Sequence, residues 1–234
     1  MPSFSDCAGW NAVSGWSARM SQILYAIPFL FHGLYITLLV SGIVICLSLV
    51  SGLLLGVTLI YGPKPVALLV RLFSDCIRGI PILVLIFIVY YGLPQLGLDI
   101  NAFWAAVLAL TLFKTAQVIE YARGAVGSIP KGQMEAGMSI GLTFPDRLRY
   151  VIFPQALRRF LPPWINGVTD AIKGSALVSL LGVVDLMQAI NEVIGRTYEP
   201  LPLYILGALI YFSINYSLSS FSRTLERRYS YIRD

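Results

Sequence analysis

Residues 29–60 contain no Asp, Glu, Lys or Arg. About 20 mainly apolar residues suffice to cross a ~30 Å hydrocarbon core as a helix, the form in which a single segment satisfies its own backbone N–H and C=O groups without water. The run is too long for the apolar core of a secretory leader. Four further segments follow the same logic: 66–91, interrupted at Arg78-Gly79-Ile80-Pro81; 101–123; 160–181; and 201–221. The expected fold is an all-α integral membrane protein of about five transmembrane helices, forming one domain over residues 1–234. Residues 1–26 are expected to form an external or interfacial segment, because Asp6 and the mixed polar and aromatic residues around it do not build a basic leader.

Composition agrees. Hydrophobic residues make up 57% of the chain and charged residues 12%, about half the usual share for a soluble domain. The net charge of +5 is therefore read as basic loops facing the cytoplasm and gives no indication of nucleic acid. With the N-terminus outside, eleven of the 17 basic residues fall on the inner side: Lys64, Arg71, Lys131, Arg147, Arg149, Arg158, Arg159, Arg223, Arg227, Arg228 and Arg233. Only Arg19 and Arg196 fall outside. The positive-inside rule thus predicts an external N-terminus, a cytoplasmic C-terminus and an odd number of spans. Cys7, Cys46 and Cys76 form no CxxC pair, and the single His32 cannot build a histidine metal site, so no metal is expected. His32 is read as interfacial or bundle-facing.

The longest connection, residues 124–159, is cytoplasmic in this topology and reads as a helix–turn–helix. Its first helix is predicted near Pro130, with Ser128 as N-cap. Met134, Met138 and Ile140 lie on one face. Gly141 suits the left-handed position that ends a helix. Thr143 and Asp146 have the spacing of a capping box for a second helix that carries Leu148, Val151 and Ile152 toward Pro154.

Glu135-Ala136-Gly137, three residues, Gly141, nine residues and Val151-Ile152-Phe153-Pro154 resemble the EAA loop of ABC importer permeases. Gly137 replaces the third alanine, Val151 an isoleucine and Phe153 a leucine. The flanking Ser128-Ile129-Pro130-Lys131-Gly132-Gln133 and Pro154-Gln155-Ala156-Leu157-Arg158-Arg159 look like the polar amino acid permeases of the histidine and glutamine type. So do Arg78-Gly79-Ile80-Pro81, Gly92-Leu93-Pro94-Gln95 and Leu177-Val178-Ser179. One departure is that Lys173-Gly174-Ser175-Ala176 stands where the family has a lysine–aspartate pair.

The resemblance implies the permease subunit of an ATP-driven importer of polar amino acids in the bacterial inner membrane, working by alternating access. Its partners would be a second permease, two ATP-binding subunits and an external solute-binding protein. ATP and magnesium would be bound by the ATPase, since this chain lacks a Gly-x-x-x-x-Gly-Lys-Ser/Thr loop. The coupling surface would comprise Met134, Glu135, Ala136, Gly137, Met138, Gly141, Val151 and Pro154.

Ionisable residues inside spans are costly and invite a functional reading. Arg78, Lys114, Glu120, Arg123, Asp170 and Lys173 qualify. A zwitterionic amino acid needs both signs of charge, so Arg78, Gln117, Glu120, Asp170 and Lys173 are candidate pathway residues. The competing reading is mutual neutralisation, since Glu120/Arg123 and Asp170/Lys173 share helix faces at i, i+3 and Arg78 adjoins a bend. Three other functions compete with this one. An ion-coupled secondary transporter using Asp170 or Glu120 gives no reason for the loop spacing. A membrane-embedded enzyme lacks an HExxH, GxSxG or paired-cysteine set. An ABC permease for another small organic solute, such as an opine, stays open.

Overall fold

The computed structural model describes the backbone of residues 4–229 and the side chains of residues 26–221, 223 and 224. The side chains of Cys7, Arg19, Arg227 and Arg228, and the whole of Arg233, lie outside the described residues. Among those described, all regular structure is helical: α1 Phe4–Tyr61, α2 Lys64–Gly79, α3 Ile82–Gln95, α4 Ala102–Gly127, α5 Lys131–Ser139, α6 Phe144–Arg147, α7 Phe153–Gly174, α8 Leu186–Thr197 and α9 Pro200–Tyr229. Short π and 3-10 stretches, Leu148–Ile152 and Ser175–Leu181, flank α7.

Three stretches are long and apolar enough to cross a membrane alone: Ala26–Tyr61, Ala102–Gly127 and Pro200–Phe221. Two bent pairs bring the number to five if each is one span. The first, α2 with α3, bends by 105° at the interruption expected from sequence. Pro81 has no N–H to continue the ladder and forces the residue before it out of the helical region. Ile80 accordingly sits at φ −92°, ψ 131°. The second pair joins residues 144–181 to α8 with a 50° bend.

Around α4 the other helices are arranged. Of its most apolar stretch 56% is buried within the protein, against 22% for α1 and 11% for α9. Alanines make this possible: Ala105, Ala106, Ala109 and Ala116 are fully buried and let neighbouring backbones approach. Against α4, α1 uses a Gly-x-x-x-Gly pair for close helix contact. A Cβ on Gly52 would lie 2.5 Å from Val118 Cβ, and one on Gly56 2.9 Å from Ala122 Cβ. Ser51 and Thr115 share a 2.7 Å hydrogen bond across the same seam. The faces turned away from α4, with Phe31 and Leu54 about two-thirds exposed, suit lipid or another subunit. His32 is exposed and does not face the bundle interior.

Three local expectations change. Ser128 caps the end of α4, its N–H donating to Gly124 O and its hydroxyl to Ala125 O. The small residues 124–127 extend α4 four positions beyond the expected span, with Ala125 packed in one cluster with Phe160. The second loop helix does not stop at Pro154. It passes through the π stretch into α7, where the wide turn accommodates a residue with no N–H. Pro162 and Pro163 lie inside α7. Finally, α8 was not foreseen. Its signal is Asp185, whose carboxylate accepts from Gln188 N–H at 2.9 Å, a capping pattern three residues apart.

Candidate functional site

The loop between α4 and α7 folds as a compact knuckle built on backbone capping. Gly141 takes φ +80°, a conformation that glycine adopts without the Cβ penalty. Around it Gly141 N–H donates to Met138 O at 3.0 Å and Leu142 N–H to Gly137 O at 3.1 Å. These two bonds form the Schellman closure of α5. Thr143 then caps α6, accepting from Asp146 N–H at 3.4 Å while its hydroxyl donates to the Asp146 carboxylate. The knuckle is fastened to its surroundings by Gln155 Nε2 donating to Gln133 Oε1 at 3.2 Å and by Arg159 donating to the Ser128 carbonyl.

Glu135, Ala136, Met138 and Ile140 are exposed, Met134 and Val151 half-buried, Gly137 buried and Pro154 exposed. Exposure reaches 60% at Met138 and 77% at Ile140, so α5 presents a free apolar edge beside a carboxylate. That is the chemistry of a docking ridge, with methionine supplying adaptable contact.

Charged residues gather on and beside α4, with Arg78 and Arg123 exposed and Glu120 half-buried. Glu120 accepts from Arg123 Nε at 2.9 Å and Nη2 at 2.6 Å. Arg78, at the end of α2, brings its Nη1 to 3.6 Å from the same Glu120 oxygen. Six residues earlier, Lys114 is buried and donates to Gln117 Oε1 at 2.9 Å. On α7, Asp170 and Lys173 pair at 2.8 Å. Their side chains are 56% and 58% exposed, which leaves the pair open to an incoming ligand.

Lys114 lies within electrostatic reach of Asp170 and Lys173, and Tyr121 within reach of both Asp170 and Arg78. Both residues belong to α4. A small pocket here is lined by Ser48, Lys114, Gln117, Tyr121, Trp164 and Gly167. Gly167 makes room for the tyrosine, as a Cβ there would lie 3.0 Å from Tyr121 Cε2.

The structure thus brings Arg78 and Glu120 together and sets Gln117 on the same helix, paired to Lys114. It places Asp170–Lys173 on a neighbouring helix. Lys114 and Tyr121 are the residues that sequence reasoning left off the candidate list. A lone lysine in an otherwise apolar run was the available signal for Lys114. Tyr121 carried none. Lys114 is the one charged group lining this pocket, beside the Gln117 amide and the Ser48 and Tyr121 hydroxyls, within walls that include Ile45, Val118 and Val168. Such a lining offers an ammonium and neutral hydrogen-bonding groups to a small polar ligand.

Comparison with known proteins gives a consistent result. Residues 48–231 match the family described as binding-protein-dependent transport system inner membrane component. The chain is 38% identical over 210 residues to the glutamine transport system permease protein GlnP of Escherichia coli (strain K12), covering 89% of this chain and 96% of that protein. It is 36% identical over 206 residues to the probable glutamine ABC transporter permease protein GlnP of Bacillus subtilis (strain 168), covering 86% and 94%. Among solved structures it resembles a chain of an amino acid ABC transporter crystallised with histidines, at 34% identity and a TM-score of 0.84, covering 89% of this chain and 97% of that one.

Proposed function

The chain belongs to the family of binding-protein-dependent transport system inner membrane components, as an amino acid ABC importer permease, and from that premise we propose how its parts divide the work. It is a transport subunit, and the chemistry of ATP belongs to its partners. Two ATP-binding subunits, which hold ATP and magnesium, dock against the α5 knuckle from the cytoplasm. A second permease, identical or homologous, completes the pathway, and an external solute-binding protein delivers a polar amino acid. The N-terminus is outside and the C-terminus cytoplasmic, as the distribution of basic residues favours. The whole chain acts as one permease domain, with residues 124–159 as its coupling loop and residues 1–26 as its external segment.

The observation that carries this reading is the knuckle itself. The Glu135–Gly141–Pro154 spacing is realised as a helix closed by a left-handed glycine, with its apolar edge unoccupied. Glu135 supplies a polar contact to the ATPase, and Met134 and Met138 fill its cleft. Closure of the ATPase pair moves α5, and with it α7, which continues from the knuckle without a break. That motion alternates access to the surfaces of α2, α4 and α7 that carry Arg78, Gln117, Glu120, Asp170 and Lys173. In this scheme Lys173 and Asp170 meet the carboxylate and ammonium ends of the substrate, while Arg78 and Glu120 border the path.

The test is co-purification with the candidate ATPase and uptake of glutamine, histidine and arginine into proteoliposomes, wild type beside Glu135→Ala and Gly141→Asp. ATP-dependent uptake in the wild type, lost in both variants while they remain folded in the membrane, is the expected result. Uptake that needs no ATPase and follows an ion gradient would replace this reading with a secondary transporter. ATP-driven uptake of an opine in preference to the amino acids would keep the machine and change its cargo.

A further inference from the structure

We infer that Arg147 is a positioning residue that ties the coupling helix α5 to the end of α1, giving the knuckle a route into the membrane besides the helices adjoining it in sequence. The inference rests on the importer reading above.

It begins at Gly137. A side chain there has no room, because a Cβ would lie 3.0 Å from Arg147 Cγ and 3.3 Å from Arg147 Cδ. The stem of Arg147 therefore lies across the backbone of α5. Its Nε is buried and has no hydrogen-bond partner among the described residues, so packing, not hydrogen bonding at that atom, holds the guanidinium where it is. The guanidinium carbon sits 5.8 Å from the centroid of the Phe144 ring, within the range of a cation–π contact. Phe144 in turn meets Tyr61, the last residue of α1, edge to face with ring centroids 5.9 Å apart and planes at 77°, a favoured arrangement for aromatic pairs. The contacts run continuously from Gly137 through Arg147 and Phe144 to Tyr61.

The other fastenings of the knuckle lead elsewhere. Gln133–Gln155 leads to α7 and Arg159–Ser128 to the end of α4. The Arg147 route reaches α1, whose Gly52 and Gly56 lie directly on Val118 and Ala122 of α4. Ser48 on α1 and Lys114 and Gln117 on α4 line the pocket described above. A displacement of α5 that moves Arg147 thus shifts both walls of that pocket, α4 and α7 from one side and α1 from the other. Packed cores transmit small shifts because they have no free volume to absorb them.

The experiment uses the complete transporter in proteoliposomes and reads ATP hydrolysed per amino acid imported, with co-purification and thermal stability measured in parallel. Arg147→Met keeps a stem of similar bulk without the charge over Phe144. Tyr61→Leu removes the far ring. Each is expected to raise ATP consumed per substrate by roughly three- to tenfold with the complex intact. The double variant is expected to be no worse than either single, since both cut one line. Arg147→Lys retains charge but not the planar stack and is expected to fall between. Gly137→Ala, which displaces the Arg147 stem by a few tenths of an ångström, is a milder second probe should Arg147→Met fail to assemble, and is expected to raise the ratio in the same direction. An unchanged ratio in assembled, ATP-driven complexes, or effects of Arg147→Met and Tyr61→Leu that multiply, would overturn the linkage and leave the importer reading standing. Wild-type uptake that is independent of ATP would overturn both.

Discussion

The knuckle and the charged face of α4 both carry polar groups through apolar surroundings, and they satisfy them by different means. In the knuckle the polar groups that need partners are backbone groups at helix ends. They are met by other backbone atoms around Gly141 and by the Thr143 side chain. Along α4 they are ionised side chains, met by other side chains: Glu120 by Arg123 and Arg78, and Lys114 by Gln117. Backbone closure is insensitive to what passes by. Side-chain pairs can be exchanged, because a ligand carrying its own charges can replace either member. The knuckle is thus suited to transmit force as a fixed shape, and the α4 face to open and re-form its contacts during transport.

Five substitutions test that contrast, in descending order of expected effect. Glu120→Ala removes the carboxylate that Arg78 and Arg123 share. It is expected to cut uptake by more than about tenfold and to lower stability by roughly 1–2 kcal/mol, the arginines being half exposed and partly screened. Thermal unfolding in detergent and uptake in proteoliposomes read the two quantities.

Gly141→Val forces a β-branched residue to φ +80° and is expected to reduce ATP-driven uptake about tenfold through loss of α5 docking. Substrate binding measured without ATP should stay near wild type, and a matching loss of binding would show that the two regions are not separable. Lys173→Ala and Asp170→Ala remove an exposed pair. Each is expected to raise the KM for uptake by roughly three- to tenfold, with no measurable change in thermal stability. Thr143→Ala removes only a cap, at a cost of about 1 kcal/mol. It is expected to halve uptake at most. Equal losses for Thr143→Ala and Glu120→Ala would remove the distinction between the two regions.

The same contrast explains what could be read from the residues alone. The knuckle was legible because its determinants are local: Gly141 closes one helix, and Thr143 and Asp146 open the next within five positions. Ser128 was misassigned because a serine before a proline suits either the end of one helix or the start of another. Only packing of Ala125 beside Phe160 carries α4 far enough to claim it. The i, i+3 pairs Glu120/Arg123 on α4 and Asp170/Lys173 on α7 were visible and form ion pairs. The reach of Arg78 to Glu120 was not visible, because it depends on the 105° bend that turns the end of α2 toward α4. The same limit hid the burial of Lys114. α8 escaped because its twelve residues are too few and too polar to register as a span, although Asp185 and Gln188 mark its start.

The unbroken passage from α6 through the π stretch into α7 has a mechanical consequence. From Phe144 to Gly174 the chain is one rod, on the order of 45 Å long at 1.5 Å per residue, with one end at the knuckle and its far end next to Asp170 and Lys173. A rod does not need to deform to act at a distance. A tilt of a few degrees about its midpoint, where α7 packs on α4 through Phe160 and Trp164, swings its two ends in opposite directions. The inner end would close as the outer end opens, so a single pivot would set the two sides of the membrane out of phase.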